Sequence, residues 1–166
     1  MRGRLASVAV LVLAGALIGA LPGAGAAVAK HGARAAAPQT RAAREQQMKA
    51  IVHAWSERLN ANDNAGIARL FALPSIVVQG PYAFRFETRA QLAEWHSGLP
   101  CAGRIVSIAI HGRYAVVVFR LADRGKTRCD APGQLAAARF EIVNGKIAVW
   151  QQIPVPAKQA DKGPVA

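Results

Sequence analysis

Apolar positions along the chain change from a helical to a strand spacing and back before ending in a long strand-like stretch. Met48, Ile51, Val52, Trp55 and Leu59 recur at intervals of three and four, which is one face of a helix from about Ala42 to Asn60. Asn60-Ala61-Asn62-Asp63-Asn64 reads as a turn, with Asn62 or Asp63 able to cap a second helix. That helix is expected over 65–72, with Ile67, Leu70 and Phe71 turned inward. Pro74 is expected to end it, because proline disfavours helix at the residue before it. Residues 75–79 are β-branched and read as a strand, Gly80-Pro81 as a turn, and 83–87 as a short strand alternating Phe84 and Phe86 with Arg85 and Glu87. Thr88-Arg89-Ala90-Gln91 is a capping box opening a third helix through His96, closed by Gly98 and Pro100. Alternating runs follow at 103–111, 114–122, 135–143 and 146–153, and Asn144-Gly145 joins the last two as a two-residue hairpin turn.

Three helices on one side of a mainly antiparallel sheet make an α+β domain of about 115 residues. Taking Asn144-Gly145 as the turn sets Phe140 opposite Val149 and Ile142 opposite Ile147 on an apolar face. Arg139 then falls opposite Trp150, and Ala137 opposite Gln152, on the other face. A turn at Gly112-Arg113 pairs Val106 with Phe119, Ile108 with Val117 and Ile110 with Ala115. The reverse face carries Ser107, His111, Tyr114 and Arg120. The apolar side is expected to cover the helices. The mixed side, with Arg139, Trp150 and Gln152, suits a partner subunit, or else is a solvated face with a cation–π pair between Arg139 and Trp150.

Composition adds the compartment. The chain has 166 residues, 52% hydrophobic and 18% charged, enough apolar surface to fold as one domain. Arg2 and Arg4 precede an apolar run from Leu5 to Ala20, a Pro22-Gly23 break and small residues at 24–29. That is the layout of a secretory signal peptide over 1–29. An uncleaved membrane anchor is the alternative, since the run from Leu5 to Ala29 is long enough to span. Residues 30–44 read as a flexible basic linker, 45–156 as the domain and 157–166 as a flexible tail. Lys and Arg number 21 against 9 acids; cleavage leaves nineteen against nine, a net +10. The basic residues neither cluster on one helix nor interleave with aromatics, so nucleic acid is not the expected partner. The Ala-, Arg- and Gly-rich make-up suggests a GC-rich bacterial genome. In an exported protein Cys101 and Cys129 are expected to pair, with the 123–130 loop folding back to reach.

From about Met48 to Pro156 the chain resembles the nuclear transport factor 2-like superfamily, especially its SnoaL-like members. The resemblance is carried by Val52-His53-Ala54-Trp55-Ser56-Glu57-Arg58-Leu59-Asn60, by Ile67-Ala68-Arg69-Leu70-Phe71-Ala72 running on to Gly80-Pro81, and by Arg139-Phe140-Glu141-Ile142-Val143-Asn144-Gly145-Lys146-Ile147 leading to Trp150. It implies a curved sheet wrapped around helices as a cone with an apolar pocket, often dimeric, and a membership of isomerases, cyclases, epoxide hydrolases and non-enzymatic binding domains. Where the isomerases of that family carry a tyrosine and two acids, this chain has Trp55, Gly80 beside Gln79, and the neighbourhood of Ala136. Gln151 and Gln152 follow the last-strand Trp, where cyclases place an acid. General base chemistry needs a titratable group, and glutamine is not one.

The expectation is therefore an exported SnoaL-like domain binding a small apolar ligand or a protein partner without catalysis. The pocket would be lined by Trp55, Phe71, Phe84, Trp95, Phe119 and Phe140, with Gln79 or Gln151 as polar anchors; the plainer alternative is that these aromatics fill the core. The competing expectation is an isomerase, cyclase or hydrolase using His53 or His96 as base. His111 lies at a hairpin end and His31 beside no element, and no histidine pair has metal-ligand spacing. Glu57, Asp63, Glu87, Glu94, Asp123, Asp130 and Glu141 give no acid that clearly points inward. No cofactor or metal is expected, a homodimer through the sheet face is allowed, and membrane contact requires the leader to be retained.

Overall fold

The computed structural model describes residues 40–160, so the leader at 1–29, the first part of the linker and His31 lie outside the described residues. Helix α1 runs Arg41–Asn60, α2 Asn64–Leu70 and α3 Arg89–Ser97. The strands are β1 Phe71–Gln79, β2 Tyr82–Phe86, β3 Cys101–His111, β4 Tyr114–Asp123, β5 Leu135–Val143 and β6 Lys146–Ile153, followed by a short turn of helix, α4, at Ala157–Ala160. Residues 41–44, read as linker, thus form the first turn of α1, and 157–160, read as tail, are helical. No helix among the described residues is long and apolar enough to cross a membrane.

The caps are local chemistry. Thr40 accepts the Ala43 N–H ahead of α1. Asp63 accepts the Gly66 N–H ahead of α2, and that bond, with Arg58 beside it, holds the carboxyl below its ordinary range. A Cβ at Gly66 would fall 1.8 Å from the Asp63 carboxylate, so a side chain there would have to displace the cap. The Thr88–Gln91 capping box is formed at α3.

Helix α2 is shorter than the sequence pattern suggests. Phe71 opens β1 rather than closing α2, and Pro74 lies inside that strand. Pro74 falls within the irregular stretch of the β1–β6 pairing between Phe71 and Ile76, where a residue without an N–H is tolerated.

The six strands form one curved open sheet in the order β2-β1-β6-β5-β4-β3. Only β1 against β6 is parallel; the other pairings are antiparallel. The core is a single cluster built on Met48, Val52, Trp55 and Leu59 of α1, Ile67 of α2, Leu92 of α3 and the sheet residues Phe71, Val77, Val117, Phe140 and Ile147. Burying such side chains is worth roughly 25 cal/mol per Å² of apolar surface.

Both turns of the meander fall where expected. Asn144 and Gly145 have φ of 50° and 71°, the left-handed pair of a type I′ turn, and Gly112 stands at 61° in the other hairpin. Two β-bulges nevertheless change the register. Ala148 is an extra residue in β6, so Val149 pairs with Glu141 and Trp150 with Phe140. Val106 is an extra residue in β3, so Ile105, not Val106, faces Phe119, and Val106 is exposed. A one-residue slip moves every later side chain to the opposite face. Trp150 is therefore buried among the core aromatics instead of standing on the outer face with Arg139. Gln152 turns inward with it, opposite Ala138, and Gln151 turns outward, opposite Arg139.

Candidate functional site

A cavity of about 220 Å³ opens between α1 and the inner face of the sheet. Its floor is aromatic: Trp55 from α1, Phe119 from β4 and Trp150 from β6, with small Ala136 and Ala138 of β5 leaving the space. Trp55 stacks on Trp150 with ring centres 6.3 Å apart and sits 5.7 Å from Phe119. Gln79 at the end of β1 and Gln152 of β6 add amides, and the mouth is formed by residues 99–103 together with Asp130.

Two devices build the mouth. The first is the disulfide between Cys101 and Cys129, whose Cα atoms stand 4.5 Å apart. It draws the connection 124–134 back over the start of β3, as the spacing required. The same connection is held by the Arg124–Thr127 bridge, by the Cys129 N–H on Asp123 Oδ1 and by the Gly133 N–H on Leu121 O. Asp130 follows Cys129 and rests with Oδ1 3.1 Å from Cys101 Sγ. Cys101, Cys129 and Asp130 crowd together as metal ligands might, but sulfurs bonded to each other offer no thiolate. The second device is Asn60, the last residue of α1. Its amide donates to Gly103 O at 2.9 Å and accepts the Gly103 N–H at 3.1 Å, fixing the mouth to the helix end.

His96 lies behind this wall and is fully buried. Its Nδ1–H donates to Leu92 O at 2.7 Å, which leaves Nε2 to accept the Trp55 indole N–H at 3.2 Å. Burial pushes its pKa down to about 4; the Leu92 bond opposes this, and the charge of Arg124 adds to it. His96 is thus a neutral imidazole with both nitrogens occupied, holding Trp55 in place. For the same reason the Trp55 N–H is not free to stabilise an oxyanion. His53 is exposed on α1 and lines an adjoining open groove with Glu57, Arg104 and Arg120, which shares Ser56, Gly103 and Leu121 with the cavity but lies outside its lining.

Arg124 is the residue that periodicity did not single out. It is 2% exposed. Its guanidinium donates to Leu59 O at 3.2 Å, to Leu99 O at 3.0 Å, to His96 O and to Asn64 Oδ1. Leu59 O, His96 O and Leu99 O lie at or beside the C-terminal ends of α1 and α3, where a cation is favoured, and Asn64 Oδ1 is a side-chain acceptor at the start of α2. Burial lowers its pKa.

Of the sequence-expected pocket residues, Trp55, Gln79 and Phe119 line the cavity. Phe71 and Phe140 are fully buried core residues behind it. Trp95 packs edge-on to Trp150 at 5.3 Å, outside the lining. Phe84 lies on the edge strand β2 and stacks with Phe86. Gln151 is not a pocket anchor: the Ala148 bulge puts it on the outer face, where it accepts from Arg139 at 2.6 Å. Gln152, expected on the outer face, takes its place in the lining, as does Trp150. Arg139 does remain outside, with its guanidinium 5.0 Å from the Tyr114 ring centre; Tyr114, not Trp150, is its aromatic partner. Asp130, among the acids not expected to point inward, is in the cavity lining from its place in the 124–134 connection. Trp150 Nε1 and Ser75 Oγ are enclosed without a hydrogen-bond partner among the described residues.

No family model and no curated protein matches this sequence. Solved structures do match by shape. A candidate polyketide cyclase from Sinorhizobium meliloti superposes with a TM-score of 0.53 at 18% identity, over 65% of this chain and 99% of that one. A candidate ketosteroid isomerase from Kribbella flavida gives 0.52 at 18% identity, over 73% and 91%. A nuclear transport factor 2-like protein of unknown function from Burkholderia xenovorans gives 0.52 at 16% identity, over 74% and 98%. The fold is nuclear transport factor 2-like. At these identities the likeness is one of fold, and the chemistry rests on the side chains. Trp55, Gln79 and Ala136 all stand in the cavity wall, and none carries a titratable group.

Proposed function

We propose that this chain is an exported SnoaL-like domain that holds a small, largely apolar ligand in its inner cavity without transforming it. The observation that carries this is the cavity wall: an aromatic floor and two amides, with glutamine or alanine where acid–base groups would act. A cavity of about 220 Å³ exceeds the roughly 150 Å³ that holds benzene and falls below the roughly 300–1,000 Å³ of drug-sized sites. The ligand is therefore about the size of one ring with a short arm, smaller than a steroid. Export rests on the leader pattern, and the Cys101–Cys129 pairing is in keeping with it. Tyr114, Arg139 and Gln151 on the outer sheet face offer a place for a second copy.

A thermal-shift screen with indole, toluene and cyclohexenone tests this proposal. Binding to the native state raises the unfolding midpoint, by an amount that grows with ligand concentration. No shift with any probe of this size would overturn the pocket.

One observation favours a second reading, catalysis with a carboxylate base. Asp130 is in the cavity lining. It is exposed, and its side-chain partner at hydrogen-bond range among the described residues is a disulfide sulfur, so no described donor orients the carboxylate. If Asp130 nevertheless acts as a base, cyclohexenone held in D2O with the protein will gain deuterium beside its carbonyl, and Asp130→Asn will stop it. We expect no exchange above buffer.

A further inference from the structure

The chain carries 21 Lys and Arg against 9 Asp and Glu, yet none of the described residues lining the cavity is basic. The only charged side chain there is Asp130. Arg124 sits behind the wall with its donors taken up by Leu59, His96, Leu99 and Asn64, and Arg104 and Arg120 line the adjoining groove that shares Ser56, Gly103 and Leu121 with the cavity. The lining instead combines one carboxylate with the rings of Trp55, Phe119 and Trp150.

We infer that the cavity selects an organic cation: a small apolar body bearing a protonated or quaternary ammonium group. This deepens the pocket-binding proposal and rests on it. The faces of Trp55, Trp150 and Phe119 carry partial negative charge and attract a cation placed over them. The side-chain oxygens of Gln79 and Gln152 are further acceptors for its polarised C–H or N–H groups. Asp130 supplies the full negative charge. Its place is not left to a mobile loop, because Cys129 is bonded to Cys101 and donates its N–H to Asp123. The net positive charge of the whole chain opposes a cation only at long range, where salt screens it within about 8 Å. A bound anion would meet Asp130 with no basic partner in the wall.

Three probes of similar shape separate the alternatives: phenyltrimethylammonium, its neutral carbon isostere tert-butylbenzene, and benzoate. Each is titrated against the full chain by tryptophan fluorescence, since Trp55 and Trp150 both line the cavity. We expect the cation to bind about tenfold tighter than the isostere, and benzoate weakest. Asp130→Asn will remove most of that preference and leave tert-butylbenzene unchanged. Raising the salt will weaken the cation alone. Equal binding of cation and isostere, or tightest binding of benzoate, overturns the cation assignment and leaves the pocket proposal standing. A cation preference untouched by Asp130→Asn overturns the role of the carboxylate. Failure of all three probes removes the pocket and this inference together.

Discussion

The two ends of the four-strand meander are closed in opposite ways. At one end, Gly112-Arg113 and Asn144-Gly145 are two-residue turns set by their own backbone preferences. At the other, β4 and β5 are joined by the connection 124–134, which has little regular structure of its own. Distant partners hold it there: Arg124 reaches three helix ends, and Cys129 reaches Cys101 across 28 residues. The cavity opens at this second end. A short turn fixes only its own hairpin, whereas a long connection can be bent over a cavity and carry a functional group there. Asp130 is such a group. Loops held by a rigid scaffold commonly serve this purpose.

That contrast is tested most severely by Arg124→Ala. The change removes the charge-assisted bonds to Leu59 O, His96 O and Leu99 O, each worth about 1.5–3 kcal/mol, and leaves Leu59 O and His96 O with only the Asn62 and Leu99 backbone N–H groups. We expect a total loss of about 3–4 kcal/mol, which is roughly 10 °C or more in midpoint for a domain of this size. Tryptophan fluorescence during chemical denaturation would measure it. Binding of the cationic probe should weaken too, because the mouth loses its anchor. A loss under about 1 kcal/mol would mean that the mouth end is held by the disulfide alone.

How far the sequence showed each end follows from the same physics. Helix spacing placed Met48, Val52, Trp55 and Leu59 correctly, because the period of α1 is preserved across its whole length. The limits of the four meander strands and their hairpin turns were legible for the same reason, since alternation and turn residues are local signals, whereas β1 begins at Phe71, four residues before the expected start. The bulges at Val106 and Ala148 were not, because an extra residue leaves the alternation plausible on both sides while reversing which face is inward. That single step exchanged the roles of Gln151 and Gln152 and hid Trp150 from the pocket. Arg124 stands in Asp123-Arg124-Gly125-Lys126, a string that looks like any solvated turn. Nothing within its window says that three helix ends converge on it. Pro74 misled in another way, since a proline that ends helices elsewhere here occupies an irregular step in a strand.

The mouth end should also be the pH-sensitive one. His96 passes its carbonyl to Arg124 and its ring to Trp55, and burial holds its pKa near about 4 against 6.5 for the free side chain. Its folded value is lowered, so the unfolded chain takes up the proton first as pH falls. Stability from this group is complete above pH 6.5 and is lost as pH drops from 6.5 towards 4. The loss is on the order of 3 kcal/mol when complete. Denaturation midpoints at half-unit intervals would trace it. His96→Gln, which can still donate to Leu92 and accept from Trp55, should show little slope over the same interval. An equal slope in the variant would assign the acid sensitivity to another group.

The smallest effect belongs to the turn end, and it completes the comparison by leaving the cavity alone. Asn144 has a φ of 50°, in a region where asparagine is tolerated and alanine is disfavoured. Asn144→Ala should therefore cost about 1 kcal/mol, close to the steric penalty of a left-handed residue with a Cβ. It touches neither Asp130 nor the aromatic floor, so affinity for phenyltrimethylammonium should be unchanged within error. Stability measured by denaturation and affinity measured by fluorescence would then separate in this variant, whereas in Arg124→Ala they fall together. Should Asn144→Ala weaken the probe as much as Arg124→Ala does, the two ends are mechanically coupled through β5 and β6, and the cavity depends on the whole meander rather than on the connection bent over its mouth.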